Sequence, residues 1–137
     1  MAVIDELIRN EADGSVSFGD YSQADKKKLD NFSHAGSSLK VKTCREITRL
    51  ERDGAFVYES TPGTSVQGFL ATEDGVKFNV EGPEDCEITL GLAEDTGYQV
   101  VINGAESLAL KSSLSGKITF SVELDPGKAV PVEVKKA

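Results

Sequence analysis

Histidine occurs once, at His34, tryptophan is missing, and cysteine occurs only at Cys44 and Cys86. With one histidine, every Ser–His–Asp triad or Cys–His dyad has to run through His34. No G-x-S-x-G elbow accompanies it, and its neighbours Ser33, Ser37 and Ser38 lie on the same Gly/Ser-rich stretch. No catalytic set is expected. Zinc takes three or four nitrogen or sulfur ligands, and His34, Cys44 and Cys86 are the whole supply, gathered by no CxxC or HxxxH spacing. No metal is expected, and without a G-x-x-x-x-G-K or a strand-linked G-x-G-x-x-G no nucleotide cofactor either. No run of eighteen apolar residues provides a membrane span. Fifteen basic against twenty-three acidic residues give a net charge of −8, which repels phosphate backbones and disfavours a nucleic-acid partner.

The 137 residues, 39% hydrophobic and 28% charged, fit one folded domain spanning 1–137. The leading residues 1–9 lack a basic segment and are interrupted by Asp5 and Glu6, unlike a secretory signal. Cytoplasmic location and two free thiols are the corresponding expectation.

From Gly14 onward the hydrophobic period is two. Val76, Phe78 and Val80 alternate with polar residues, as do Ile88, Leu90 and Leu92, then Ile118, Phe120, Val122 and Leu124, and finally Val130, Val132 and Val134. One buried and one wet face per strand is the antiparallel signature. Asn103-Gly104, Asp53-Gly54 and Asp74-Gly75 separate paired strand segments, and Asn or Asp before Gly tolerates the positive φ of tight hairpins. Ser115-Gly116 and Asp125-Pro126-Gly127 mark two further reversals. Turns about every ten residues predict an all-β fold, a single antiparallel β-sandwich of Ig-like or jelly-roll type. The acidic pairs Glu73-Asp74, Glu84-Asp85 and Glu94-Asp95 fall in these turns as solubilising residues.

Two segments depart from that rhythm. Val3, Ile4, Leu7 and Ile8 fall on one stripe at helical spacing, so 1–13 is expected to be a short amphipathic helix with its linker. Such a helix is marginal alone, so its stripe either caps the core or meets other subunits in a homo-oligomer. Residues 26–36 show little periodicity and read as a long surface loop between a first strand at 15–20 and a second at 38–44. Charge is unevenly spread. Segment 1–25 has net −5, segment 26–52 has eight basic and three acidic residues for net +5, and segment 53–137 has net −8. Tyr21, beside the basic band, is the expected exposed aromatic, whereas Tyr98, in phase with Val100 and Ile102, is expected in the core. His34, Arg45, Arg49 and Arg52 complete the candidate binding surface.

The block Tyr98-x-Val-x-Ile-Asn-Gly followed by Gly116-x-Ile-x-Phe-x-Val-x-Leu resembles the C-terminal Ig-like sandwich of many polysaccharide-processing enzymes. That likeness covers about the last sixty residues and implies an accessory module without catalytic residues. The whole chain, from Val3-Ile4-Asp5-Glu6-Leu7-Ile8 through Val57-Tyr58-Glu59-Ser60-x-Pro62-Gly63-Thr64, resembles short bacterial proteins labelled endosialidase. That resemblance implies hydrolysis of polysialic acid. Sialidases carry S-x-D-x-G-x-T-W boxes and an arginine cluster for the sialate carboxylate. This chain has no such box, and its arginines are Arg9, Arg45, Arg49 and Arg52. The expected function is a non-enzymatic binding or assembly module for a protein or glycan, with a carbohydrate-active protein as the alternative.

Overall fold

A computed structural model describes Val3, Ile4 and residues 6–137, with Glu106 described by its backbone alone. Two antiparallel sheets face each other across one core, and the described residues contain no helix. In chain order the strands are β1 (Ile8–Asn10), β2 (Val16–Phe18), β3 (Lys27–His34), β4 (Ser37–Thr43), β5 (Thr48–Arg52), β6 (Ala55–Thr61) and β7 (Ser65–Thr72). They continue with β8 (Gly75–Glu81), β9 (Cys86–Gly91), β10 (Gly97–Ile102), β11 (Glu106–Lys111), β12 (Lys117–Val122) and β13 (Val130–Lys136). One sheet has the order β1-β2-β7-β8-β13-β10-β11, the other β12-β9-β6-β5-β4-β3.

The alternation foreseen in the sequence sets the inner faces. Ile118, Phe120 and Val122 of β12 are buried opposite Leu90, Ile88 and Cys86 of β9, while Lys117, Thr119 and Ser121 face out. Tyr58 of the six-stranded sheet is fully buried among Phe18, Phe69 and Phe78 of the seven-stranded sheet, with ring centroids 5.3 to 6.3 Å away and steeply inclined planes. Edge-to-face packing of this kind adds about 0.5–1.5 kcal/mol per pair beyond burial, so this quartet joins the two layers near their centre. Tyr98 is buried as expected, its hydroxyl accepting a hydrogen bond from the Ala93 N–H at 3.0 Å. Asp53-Gly54, with φ of 50° and 82°, makes the two-residue β5–β6 hairpin, and Asn103-Gly104, with φ of 56° and 70°, turns β10 into β11.

The expected N-terminal helix is replaced by a tight turn and a short strand. Leu7 adopts a left-handed φ of 72°, which no helix accommodates, and its N–H reaches back to the Ile4 carbonyl at 2.9 Å. Ile8–Asn10 then pairs with Phe18–Val16 of β2. A strand edge offers backbone partners immediately, whereas a two-turn helix must first overcome its nucleation cost. Ile4 and Ile8 are both buried in the chain's own core, and Leu7 and Val3 are half-buried. Met1, Ala2 and Asp5, which fall within the segment 1–13 expected as helix and linker, lie outside the described residues.

The expected loop at 26–36 is also corrected. Lys27–His34 forms β3, the edge strand of the six-stranded sheet, and Ala35-Gly36 at φ of 48° and 82° turns it into β4. Its period was hidden because an edge strand is wet on much of both faces and because its register shifts between Leu29 and Phe32, where Asn31 takes a φ of 58°.

Candidate ligand cleft

At one end of the sandwich the sheets separate around a cleft of about 350 Å³. The starts of β2, β4, β6 and β8 and the ends of β3, β5, β7 and β9 surround it. Its floor consists of Val16, Leu39, Leu50, Phe69, Val76 and Leu90, all buried core residues. Half-buried Val57 and Leu92 form the walls, and the small residues Gly14, Ala35, Ala55 and Ala71 keep the mouth open. Among the described residues the polar side chains of the lining are His34, Ser37 and Arg52, and none is a carboxylate.

Strand register places those polar groups. In the β4–β5 ladder Leu39 stands opposite Arg52, so Arg52 shares the inward parity of Leu50 and Leu39 at the point where the sheet ends. In the β3–β4 ladder His34 stands opposite Ser37. His34 Nδ1 hydrogen-bonds Asn10 Oδ1, and Asn10 Nδ2 donates to the Ser33 carbonyl at 3.0 Å, so β1 of one sheet is tied to β3 of the other. Because the Asn10 oxygen accepts, Nδ1 carries the proton and Nε2 is the remaining ring nitrogen. Arg52 makes no ion pair among the described residues.

Of the five side chains expected on a binding surface, the structure brings His34 and Arg52 together at the cleft and scatters the rest. Tyr21 is a correction: the expected exposed aromatic is 6% accessible. Its hydroxyl is pushed above the ordinary tyrosine range, first by burial and then by the charges of Glu81 and Asp20. Arg45 is exposed in the β4–β5 turn at the other end of that hairpin. Arg49 lies on the outer face of the six-stranded sheet, paired with Glu51 at 3.0 Å and Glu59 at 3.1 Å, with its guanidinium 5.1 Å from the Phe56 ring centre. Lys117 stands 4.6 Å from that same ring centre, so cations already occupy this half-buried aromatic. Sequence reasoning missed the apolar floor as a binding feature, because its residues carry only the alternation that any core strand carries.

A second polar cluster lies toward the opposite end. Thr64 Oγ1 is 2.8 Å from both Tyr58 OH and Ser60 Oγ, and Thr48 Oγ1 donates to the Thr64 carbonyl at 2.8 Å. Thr43 Oγ1 joins Thr48 Oγ1 at 2.8 Å and accepts from the Asp20 N–H at 2.9 Å. Burial raises the pKa of the Asp20 carboxyl, but hydrogen bonds from the Ser22 hydroxyl, the Gln23 amide and the Ser22 N–H outweigh it and leave the group below its ordinary range. Gly63 permits this cluster to close, since a Cβ there would stand 1.9 Å from the Cys44 carbonyl oxygen. Every buried side-chain polar atom among the described residues has a partner, which marks the cluster as an internal strut. Cys44 and Cys86 are free and buried, and burial, aided by the Asp85 charge, pushes the Cys86 thiol up to about 12. No group of three metal-ligating side chains occurs among the described residues, and no helix there is long and apolar enough to cross a membrane.

No known protein family, curated protein or solved structure matches the chain.

Proposed function

We propose that the protein is a non-enzymatic binding module whose working surface is the end cleft of the sandwich. One observation carries the reading: strand register delivers His34 and Arg52 to the mouth of a cleft whose floor is apolar. Ligand pockets are characteristically concave and mostly apolar, with a few convergent polar groups that fix orientation. The crossings between the two sheets at β6–β7, β8–β9, β9–β10, β11–β12 and β12–β13 support an Ig-like or jelly-roll sandwich, a frame whose loops and strand ends commonly carry binding sites. The unbridged Cys44 and Cys86 support a reducing, cytoplasmic setting.

An environment-sensitive apolar dye tests the reading without knowledge of the ligand. The folded protein is expected to bind one equivalent of 1-anilinonaphthalene-8-sulfonate by its ten-carbon naphthalene ring, the anilino and sulfonate groups staying outside the mouth, with enhanced emission. Ala71→Trp, which fills the exposed mouth position, is expected to abolish that signal while leaving the melting temperature within about 2 °C, the range of a neutral surface change. A folded wild-type protein that leaves the dye unchanged, or an Ala71→Trp variant that binds it equally well, overturns the reading. The resemblance to endosialidase-labelled proteins supplies the competing carbohydrate reading. Cleavage of polysialic acid that disappears on changing Arg45, Arg49 or Arg52 would establish it instead.

A further inference from the structure

The geometry points to a small amphiphilic carboxylate, with an unbranched apolar body of about eight to ten carbons, as the ligand of the cleft. This inference rests on the reading of the cleft as the working surface and adds the chemical class of its occupant. Size comes first. At about 30 Å³ for each water-sized group, a space of 350 Å³ accepts about a dozen non-hydrogen atoms, the count of a ten-carbon acid. The floor around Leu50, Phe69 and Leu90 offers aliphatic and aromatic carbon without a hydrogen-bonding group, so the inserted body has to be apolar.

Charge then selects the head. The protein as a whole carries −8, which should turn anions away, yet the described cleft lining has no carboxylate and does have Arg52. The other arginines among the described residues are either engaged or remote. Arg49 is held by Glu51 and Glu59, Arg9 by Glu6 and Glu11, and Arg45 stands at the far end of its hairpin. Asp53, next to Arg52 in sequence, accepts from the Ser38 N–H at 2.9 Å. Lys27, Lys28 and Lys42 stand toward the far end of the β3–β4–β5 ladder, and Lys40 pairs with Asp30, so the cation at the mouth is Arg52. A cation without an ion pair beside an apolar slot favours an anion with a greasy tail. The planar guanidinium of Arg52 matches a carboxylate with two parallel N–H donors, and Ser37 adds a hydroxyl at the same mouth.

Calorimetric titration of the full chain with decanoate, kept below its micelle concentration, tests the assignment. One equivalent of decanoate is expected to bind, and to displace the naphthalene dye. Decanol, which keeps the tail and loses the charge, is expected to bind at least tenfold more weakly, and acetate not measurably. Arg52 is exposed, so Arg52→Met is expected to fold with an unchanged melting curve, to weaken decanoate at least tenfold and to leave decanol unaffected. Arg52→Lys is expected to fall between the two, because it keeps the charge and loses the paired donors. If the dye binds while decanoate does not displace it, or if decanol equals decanoate, the carboxylate assignment fails and the cleft reading stands. If the dye itself does not bind, the cleft reading fails and the assignment with it. Equal decanoate binding by wild type and Arg52→Met also overturns the assignment.

Discussion

Thr64 concentrates more of the internal polar order than any single feature of the sequence suggests. Its hydroxyl serves Tyr58 and Ser60, and its backbone N–H and carbonyl both meet Thr48 Oγ1, at 3.1 and 2.8 Å. Replacing one side chain therefore strands two buried hydroxyls at once. Thr64→Val is expected to cost about 2–4 kcal/mol, since each unsatisfied buried group costs about 1–3, whereas Ser60→Ala, which removes only one end of the pair, is expected to cost about 1. Urea unfolding of the two variants checks the ratio, and equal losses would show that the contacts at Thr64 are not shared. At this scale the sequence was only partly legible. His34 and Arg52 stand out locally as the lone histidine and a cation in a basic band. Their convergence depends on the β3–β4 and β4–β5 registers, which no local pattern records. Tyr21 was misplaced for a similar reason, because Glu81, whose charge acts on its hydroxyl, is remote in sequence.

Short elements carry more than their length implies. β1 has three residues, yet Ile8 at 2% exposure and the preceding Ile4 at 1% seal one side of the core beside Phe18. Truncating a buried isoleucine to alanine costs about 2–5 kcal/mol, so Ile8→Ala is expected to fall in the lower half of that range, the site being at a sheet margin. A matching change on the outer face of β3, Lys28→Ala, is expected to stay within about 0.5 kcal/mol. Chemical denaturation of both variants checks the contrast, and a silent Ile8→Ala would show that the N-terminal segment is not docked. The spacing of residues 3, 4, 7 and 8 could not distinguish these outcomes. A helix stripe and a turn followed by a strand bury the same positions, and only the left-handed Leu7 separates them. Elements whose signal was local and redundant were read correctly. β12 combined strict alternation with a flanking Ser-Gly turn, and the β5–β6 hairpin carried Asp-Gly between two strand-like segments.

Across the whole molecule, several carboxyl groups are held in their charged form by native hydrogen bonds. Glu11 lies below its ordinary range through the Ser17 hydroxyl and then Arg9, Asp13 through the hydroxyl and N–H of Ser15, and Asp20 through Ser22 and Gln23 against the opposing effect of burial. Each has a folded pKa below its unfolded one. Their contribution to stability is therefore fully present above the unfolded carboxylate values near 4 and is lost as pH falls through the folded values. The melting temperature is expected to be level between about pH 6 and 8 and to decline below about pH 4. Asp20→Asn is expected to flatten that decline. Calorimetric scans across the pH series check it, and a protein that gains stability on acidification would contradict the assigned directions. All three residues lie in the first twenty positions, so acid is expected to loosen the β1–β2 side of the sandwich before the opposite edge.

β13 is last among the strands in chain order, yet it lies inside its sheet, flanked by β8 on one side and β10 on the other. Until residues 130–136 are available, β1-β2-β7-β8 and β10-β11 are two separate fragments with complementary open edges. A chain emerging from the ribosome consequently cannot finish its core while the tunnel still shields that segment. Closure of the seven-stranded sheet waits until residues 130–136 have left the tunnel, and the waiting edges are the surfaces that a chaperone, or a neighbouring nascent chain, would meet first.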